Sequence, residues 1–410
     1  MSVISNQSYW KYFKSLQFRE KCLMFLYFIA LVPCSLKLLM GINARIGLSM
    51  INPMLDTVVL VLFSILSFPV CIRNLKIWNV LLVFVYGWFV FWSPNIYPET
   101  YFAVLAFGPY LVLNCLPYYL VGASINVVRY EVMFECIGRW GLIVNIFICG
   151  LAIMGFAQKL FGDENNMELA YGVLPSVVFV TRNMMRYGKR EDVYLTIVGT
   201  FLILSLGSRG ALLAFVLYCA GELVFFREYK KPFITRVWIF LATMIFYLLS
   251  KPILLMMESL TSLLGFGTRV YSKLLSGEIV NTESRDWIFN IVSEYITSDN
   301  GKIGYGLFYD RVLMGMTDSS YAHNIIYEVL LNFGIYIGTF LIVVFVLMFI
   351  ANIFKTRKTS ISSLLFAFFC SCIVCLFFSS SYLRSSNFWL FLGLMITTLG
   401  KSRKTLNLEN

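Results

Sequence analysis

Long apolar runs separated by short polar segments dominate this 410-residue chain. A helix that crosses the hydrocarbon core of a bilayer needs roughly 20 mostly apolar residues. Nine runs approach that length, and three shorter ones, the first interrupted by Pro175, lie between positions 166 and 226. The pattern predicts an all-α polytopic membrane protein with about twelve transmembrane helices. The nine longer runs are 22–40, 54–72, 77–92, 101–121, 140–160, 237–256, 333–354, 361–380 and 387–400, and the shorter ones are 169–181, 193–206 and 210–226.

Composition narrows the function classes. The chain is 59% hydrophobic and 13% charged, with a mean hydropathy of +0.77, whereas soluble domains average about 45–50% apolar and about 25% charged residues. These values exclude a disordered chain, a secreted disulfide scaffold and a soluble nucleic-acid-binding protein. In a membrane protein, an excess of basic residues is explained by their accumulation in cytoplasmic loops. The net charge of +11 is therefore attributed to topology, and no nucleic acid is expected as a partner.

Basic residues orient the predicted helices. With twelve spans, two thirds of the 33 Lys and Arg fall in segments on one face, whereas the opposite loop Ser93–Thr100 has none. Because cytoplasmic loops collect basic residues, both termini are predicted to be cytoplasmic. Three regions follow: 1–255 holds helices one to nine, 256–322 is a large outer loop with short helices, and 323–410 holds helices ten to twelve and a short basic tail.

The outer face contains the candidate chemistry. His323 is the single histidine, and Asp318, Ser319 or Ser320 is expected to cap the helix that follows. His323 would then lie in the first helical turn, where the positive end of the helix dipole disfavours an imidazolium. A neutral imidazole at the water boundary is suited to act as a general base; the alternative is a structural histidine.

Two arginines are predicted at other helix starts on this face. Arg209 follows the expected cap Ser208, and Arg285 follows a cap at Thr282 or Ser284. Guanidinium groups at helix N-termini are suited to bind a densely charged anion such as pyrophosphate. The alternatives are an interfacial snorkelling arginine for Arg209 and a surface ion pair for Arg285.

The sequence offers little support for a metal or nucleotide site. It has no His-Glu-x-x-His or Walker pattern, and the Cys372-Ile-Val-Cys375 spacing lies inside an apolar run, where it is interpreted as packing between helices. The glycine-rich segment Gly301–Gly306 does not follow a strand of a βαβ unit, so it is interpreted as a turn and not as a phosphate loop. No metal and no cofactor are therefore expected.

Four ordered motifs resemble the superfamily of O-antigen polymerases and O-antigen ligases. They are Gly207-Ser-Arg-Gly-Ala-Leu-Leu-Ala, Arg285-x-Trp287, Gly304-Tyr-Gly-Leu and His323-Asn324-x-x-Tyr-Glu-x-x-x-x-Phe-Gly334. The motifs cover about positions 200–340, and the rest of the chain resembles the superfamily in topology alone.

The resemblance implies a GT-C-like fold and a metal-independent, inverting glycosyltransferase in the bacterial inner membrane, with its active site facing the periplasm. His323 would deprotonate an acceptor sugar hydroxyl, and Arg209 and Arg285 would hold the pyrophosphate of an undecaprenyl-pyrophosphate-linked donor. Donor and acceptor would both be lipid-linked oligosaccharides, and a chain-length regulator and a flippase are implied partners. Secondary substrate-binding candidates are Arg269, Arg311, Tyr321, Asn324 and Arg384.

Four functions remain open at this point, one of which is a structural or sensory membrane protein, for which a change of His323 would cause no loss of polymer. The preferred one is a polymerase that moves the growing glycan onto a lipid-linked repeat unit. A ligase that transfers finished polymer to lipid A-core would use the same donor. A flippase or other transporter is the alternative of another class, and charged residues near the middle of the spans would favour it. Such charges are few, namely Lys37, Asp56 and Glu222, so chemistry at the membrane surface is preferred to transport.

Overall fold

The computed structural model describes most of the chain. The described residues are 9–32, 52–73, 75–125, 130–151, 166–206, 208–226, 255–256, 258–259, 283–316, 321–357 and 359–400.

Within these ranges all regular structure is helical, as predicted. The fifteen α-helices that position the site and its surroundings are α1 (Tyr9–Ser15), α2 (Phe18–Leu31), α3 (Asn52–Ile72), α4 (Ile77–Ile96), α5 (Tyr101–Tyr110), α6 (Leu116–Ser124), α7 (Glu131–Leu151), α8 (Asn166–Tyr187), α9 (Arg190–Ser205), α10 (Arg209–Phe225), α11 (Glu283–Thr297), α12 (Tyr309–Leu313), α13 (Ile325–Thr356), α14 (Ser360–Phe368) and α15 (Ser386–Gly400).

Five of the described helical segments are long and apolar enough to cross a membrane. They are Ile77–Ile96, Pro98–Ser124, Glu131–Cys149, Ile325–Thr356 and Ser360–Phe377. Large apolar side chains point outward from two of them: Phe84 on α4 is 75% exposed and Phe340 on α13 is 65% exposed. Such surfaces are typical of lipid-facing helices. The membrane character of the chain is thus supported, while the count of twelve spans and a GT-C-like fold stay predictions.

Several predicted runs differ from the helices in their limits. The predicted run 140–160 corresponds to α7, which begins earlier, at Glu131, and the short runs between 166 and 226 correspond to α8, α9 and α10. The predicted span 237–256 lies almost wholly outside the described residues. Two helices, α11 and α12, occur within the predicted outer loop 256–322.

The chain divides into two compact units, each made of separate stretches. The first comprises 1–59, 131–281 and 360–371; the second comprises 60–130, 282–359 and 372–410. In the first unit α8 packs against α7, α9 and α14. In the second unit α6 packs against α15, and α11 packs against α13. The predicted regions followed the order of the spans, whereas these units combine early and late parts of the chain.

Candidate functional site

A break in the longest helix shapes the second unit. Gly334, inside α13, has φ 76° and ψ 169°, which interrupts the helical hydrogen bonds. This backbone conformation is nearly restricted to glycine. The predicted span began at 333, so the sequence located the second half of α13. The first half, from Ile325 to the break, corresponds to the helix predicted to follow a cap at 318–320, but the break itself was not predicted.

The glycine turn predicted at 301–306 packs into this break. The backbone N–H of Tyr305 donates to the Leu331 carbonyl at 3.0 Å, and that of Gly306 donates to the Asn332 carbonyl at 3.1 Å. A Cβ atom on Gly304 would lie 2.4 Å from the Gly334 nitrogen. Two of the recognised motifs therefore meet in space, because the broken helix exposes carbonyls that the turn satisfies.

His323 lies just before the first half of α13. The cap of this helix is Asn324, whose side-chain oxygen accepts from the Ile326 N–H at 2.9 Å. The prediction that His323 lies in the first turn is therefore wrong, and the predicted caps at 318–320 lie outside the described residues. The backbone of His323 has a positive φ of 52°, a conformation that is uncommon outside glycine but enriched in histidine and asparagine. Asn324, a predicted substrate-binding candidate, is thus observed as the cap of this helix.

Tyr321 connects His323 to a second segment. Its ring centroid lies 3.9 Å from that of His323. Its hydroxyl is 3.2 Å from the Ser379 hydroxyl and accepts from the Ser380 N–H at 3.0 Å. Ser380 has a positive φ of 75°. Two unusual backbone conformations thus hold one tyrosine beside the single histidine.

Two predicted substrate-binding arginines approach the same aromatic residue. The Arg311 guanidinium carbon lies 5.1 Å from the ring centroid of Phe107 and 5.0 Å from that of Tyr321. The Arg384 guanidinium carbon lies 5.7 Å from the Phe107 ring and 5.4 Å from the Tyr110 ring. Aromatic faces attract cations without cancelling their charge. Arg311, Tyr321, His323 and Arg384 therefore belong to one cluster of the second unit.

Two buried acids complete the cluster, and the sequence analysis did not select them. Asp310 accepts from the Ala322 N–H through Oδ2 at 3.2 Å. Glu328 accepts from the Ser381 hydroxyl and, at 3.2 Å, from the Tyr382 N–H. Glu328 is part of the motif that begins at His323, but no role was predicted for it. It could have been selected because an acid in an apolar span is itself a signal of function.

The charges of this cluster influence one another. Burial raises the pKa of Asp310, and the Arg311 guanidinium and the Ala322 N–H act in the opposite direction. Burial lowers the pKa of Arg311, which Asp310 and Glu328 raise and Arg384 lowers. The cluster is thus an environment of mixed charge in which two arginines lie near two buried acids.

The other predicted site residues are distributed differently. Ser208 caps α10 by accepting from the Ala211 N–H at 3.4 Å, as predicted, and Arg209 is the first residue of that helix. Arg285 lies in the first turn of α11; Ser284 is inside this helix, so it is not the cap. Arg209 belongs to the first unit and Arg285 to the second. Arg269 and the predicted cap Thr282 lie outside the described residues.

Comparison of the chain with protein-family models, with curated proteins and with solved structures returns no match. In the described part of the chain, no group of three or more His, Cys, Asp or Glu side chains is arranged to hold a metal ion. The proposals below therefore rest on the geometry of the cluster and on the motifs in the sequence.

Proposed function

We propose that this protein is an O-antigen polymerase. It would transfer the growing glycan from undecaprenyl pyrophosphate to a sugar hydroxyl of a lipid-linked repeat unit. The observation that carries the proposal is the cluster in which the single histidine contacts Tyr321, and Tyr321 in turn contacts the buried cation Arg311. A general base beside cationic groups suits an acceptor hydroxyl that attacks an anionic, lipid-linked donor.

In the proposed reaction, the Nε2 or Nδ1 atom of His323 takes the proton of the acceptor hydroxyl. The resulting oxygen attacks the anomeric carbon of the donor sugar, and the bond between that carbon and the pyrophosphate oxygen breaks. The configuration at the anomeric carbon is inverted because attack and departure occur on opposite sides. By the motif resemblance, Arg209 and Arg285 hold the departing pyrophosphate through charge-assisted hydrogen bonds.

The proposal includes a location and partners. The chain would lie in the bacterial inner membrane with both termini in the cytoplasm, and the cluster around His323 would face the periplasm. A flippase would deliver the lipid-linked repeat units, and a chain-length regulator would act with the polymerase. The distribution of basic residues along the sequence supports the orientation of the termini, and the motif resemblance implies the type of membrane and the partners.

The test is the lipopolysaccharide profile of a strain that lacks the protein and is complemented with variants at equal membrane levels. His323→Asn removes the base while tolerating the positive φ of this position, and His323→Ala removes the base without that tolerance. Lys302→Ala is the control, because its side chain is 53% exposed and pairs with exposed Asp299. Loss of a positioned general base lowers rates by about 10²–10⁴-fold, so we expect core carrying a single repeat unit with both histidine variants.

Other outcomes identify the alternatives. Core without any repeat unit, together with polymer that accumulates on the lipid carrier, would identify a ligase. Failure of repeat units to reach the outer leaflet would identify a transporter. Full ladders with His323→Asn would show that His323 is not the base.

A further inference from the structure

The buried carboxyl of Glu328 lies in α13, on the helical segment that follows His323. Glu328 is 2% exposed. Its Oε1 atom accepts from the Ser381 hydroxyl, and its Oε2 atom accepts from the Tyr382 N–H at 3.2 Å. Both oxygens therefore bind neighbouring residues of one turn, the segment that connects α14 and its continuation to α15.

This turn is fixed in one conformation. The Ser381 hydroxyl also accepts from the Leu383 N–H at 3.3 Å, and the Tyr382 carbonyl accepts from the Trp389 indole N–H at 3.0 Å. The residue before Ser381 is Ser380, whose φ of 75° is costly for a serine. A strained backbone persists where its surroundings impose it, and the two bonds to Glu328 are part of those surroundings.

The same turn holds the tyrosine that contacts the histidine. The Ser380 N–H donates to the Tyr321 hydroxyl at 3.0 Å, and the ring centroids of Tyr321 and His323 are 3.9 Å apart. Ala322, the residue between Tyr321 and His323 in the chain, donates its N–H to Asp310 at 3.2 Å. The position of the imidazole thus depends on a chain of contacts that begins at Glu328.

We propose that Glu328 is a positioning residue for His323. Without its two hydrogen bonds the turn at 380–382 shifts, the Tyr321 hydroxyl loses its backbone donor, and the imidazole loses the ring that orients it. Glu328 does not touch the substrate in this proposal; it acts through Tyr321. The inference rests on the proposed function, because it assigns His323 the role of the base.

The chemistry of the contact explains why a glutamate is required. A carboxylate accepts at both oxygens, whereas an amide accepts at one and donates at the other. Glu328→Gln has nearly the same shape, but it would direct an NH₂ group at either the Ser381 hydroxyl or the Tyr382 N–H. The hydroxyl can rotate to avoid that clash, but the backbone N–H cannot, so the amide would turn its oxygen to Tyr382 and its NH₂ group to Ser381, whose hydroxyl then loses its acceptor. Ser381→Ala breaks the same hydrogen bond and also removes the acceptor of the Leu383 N–H.

The experiment measures glycan extension by the purified full-length protein in nanodiscs, with a lipid-linked repeat unit as substrate, across a range of pH. The variants are Glu328→Gln and Ser381→Ala. The controls are Glu294→Gln, which removes an exposed carboxyl, and Ser93→Ala, which removes a buried hydroxyl that donates to its own helix at Val90. Thermal unfolding and the amount of folded protein are determined for each variant.

We expect Glu328→Gln to lower kcat by about 10–100-fold, the range seen when partners that orient a functional side chain are removed. KM for the acceptor should change little, and the acid limb of the pH profile of kcat, which reports the base, should shift. Ser381→Ala should change the same quantities in the same direction, and both controls should match the wild type. If Glu328→Gln does not accumulate as folded protein, Ser381→Ala decides the question alone.

Two results would overturn the inference. One is a wild-type kcat and pH profile in Glu328→Gln. The other is a loss by the same factor at every pH, which a smaller fraction of folded protein would produce. His323→Asn is measured in parallel so that a failure of this inference can be told apart from a failure of the proposed function. Full activity of His323→Asn would contradict the role of His323 as the base, whatever Glu328→Gln does.

Discussion

Two fully buried arginines, one in each unit, have different surroundings. Arg182 in the first unit and Arg311 in the second are both 1% exposed. Arg182 donates to the Glu131 carboxylate, to the Ser363 hydroxyl at 3.0 Å and to the Ser360 carbonyl at 2.9 Å. Arg311 lies against the aromatic faces of Phe107 and Tyr321.

The network around Arg182 joins four helices of the first unit. It includes further hydrogen bonds from a tyrosine and two serines to three acids: Tyr187 to Glu135 at 2.6 Å, Ser360 to Glu131 at 2.7 Å and Ser363 to Glu222 at 2.6 Å. Buried ion pairs of this kind add little net stability, but removal of one partner is costly because it leaves a buried charge. The network fixes the register of α7, α8, α10 and α14.

The comparison distinguishes a cation that we expect to be structural from one that we propose to be functional. At Arg182 an opposite charge and hydrogen-bond acceptors satisfy the guanidinium. Arg311 lies against two aromatic rings beside Tyr321 and His323, and the nearby acids Asp310 and Glu328 act on its charge and also bind the groups that hold residues 322, 381 and 382 in place. We therefore expect substitution of Arg182 to affect folding and substitution of Arg311 to affect activity.

Arg182→Met should have the largest effect on stability. It removes the fully buried partner of the Glu131 carboxylate, a change that costs about 3–5 kcal/mol in comparable cases; Arg186 and Ser360 still contact Glu131 and offset part of that cost. The midpoint of thermal unfolding in detergent should fall strongly, while the activity of the remaining folded protein should not change. Arg190→Met is the control because Arg190 is exposed at the start of α9. Equal unfolding midpoints for the two variants would contradict the structural role.

Arg311→Met should have a moderate effect on stability and a larger one on activity. Each of the two buried cation–π contacts that are lost contributes about 1–2 kcal/mol. The thioether side chain of the new methionine fills part of the space that the arginine occupied. Glycan extension per folded molecule should fall more than stability predicts, with Arg311→Lys intermediate because it keeps the charge. If both Arg311 variants keep full activity per folded molecule, Arg311 is a structural residue like Arg182.

Asp310→Asn should have the smallest effect, on the pH dependence of stability. Burial raises the pKa of Asp310 above its ordinary value of 3.8, so the folded protein binds this proton more tightly than the unfolded chain. The folded state loses this extra proton affinity as pH rises from about 4 through the raised pKa, so the free energy of unfolding falls over that range.

Asparagine does not titrate and can still accept from the Ala322 N–H. The decrease in the unfolding midpoint over that pH range should therefore be smaller in Asp310→Asn than in the wild type. Asp299→Asn is the control, since the Asp299 side chain is 96% exposed. An unchanged pH dependence in Asp310→Asn would contradict the raised pKa.

Local features of the sequence located most of the helices and several parts of the cluster. Runs of apolar residues predicted the helices, and Ser208 was recognised as the cap of α10. The turn at 301–306 was also predicted. These predictions of local structure succeed because hydropathy, capping and turn formation depend on residues a few positions apart. His323, Arg311, Tyr321 and Arg384 were selected as candidates and lie in one cluster, and their roles stay predictions.

Contacts between distant segments were decided by the tertiary structure alone. Asn324, and not a residue at 318–320, caps the helix, because the turn that contains His323 is held by Asp310 and Tyr321. The break at Gly334 and the turn at Gly304 fit each other, although neither residue shows its partner in the sequence. Arg311 meets Phe107, and Glu328 meets Ser381, only because folding brings these segments together. The sequence thus indicates which segments form helices and which side chains are candidates for chemistry, whereas the packing of the chain decides which buried charges stabilise the fold and which form the candidate site.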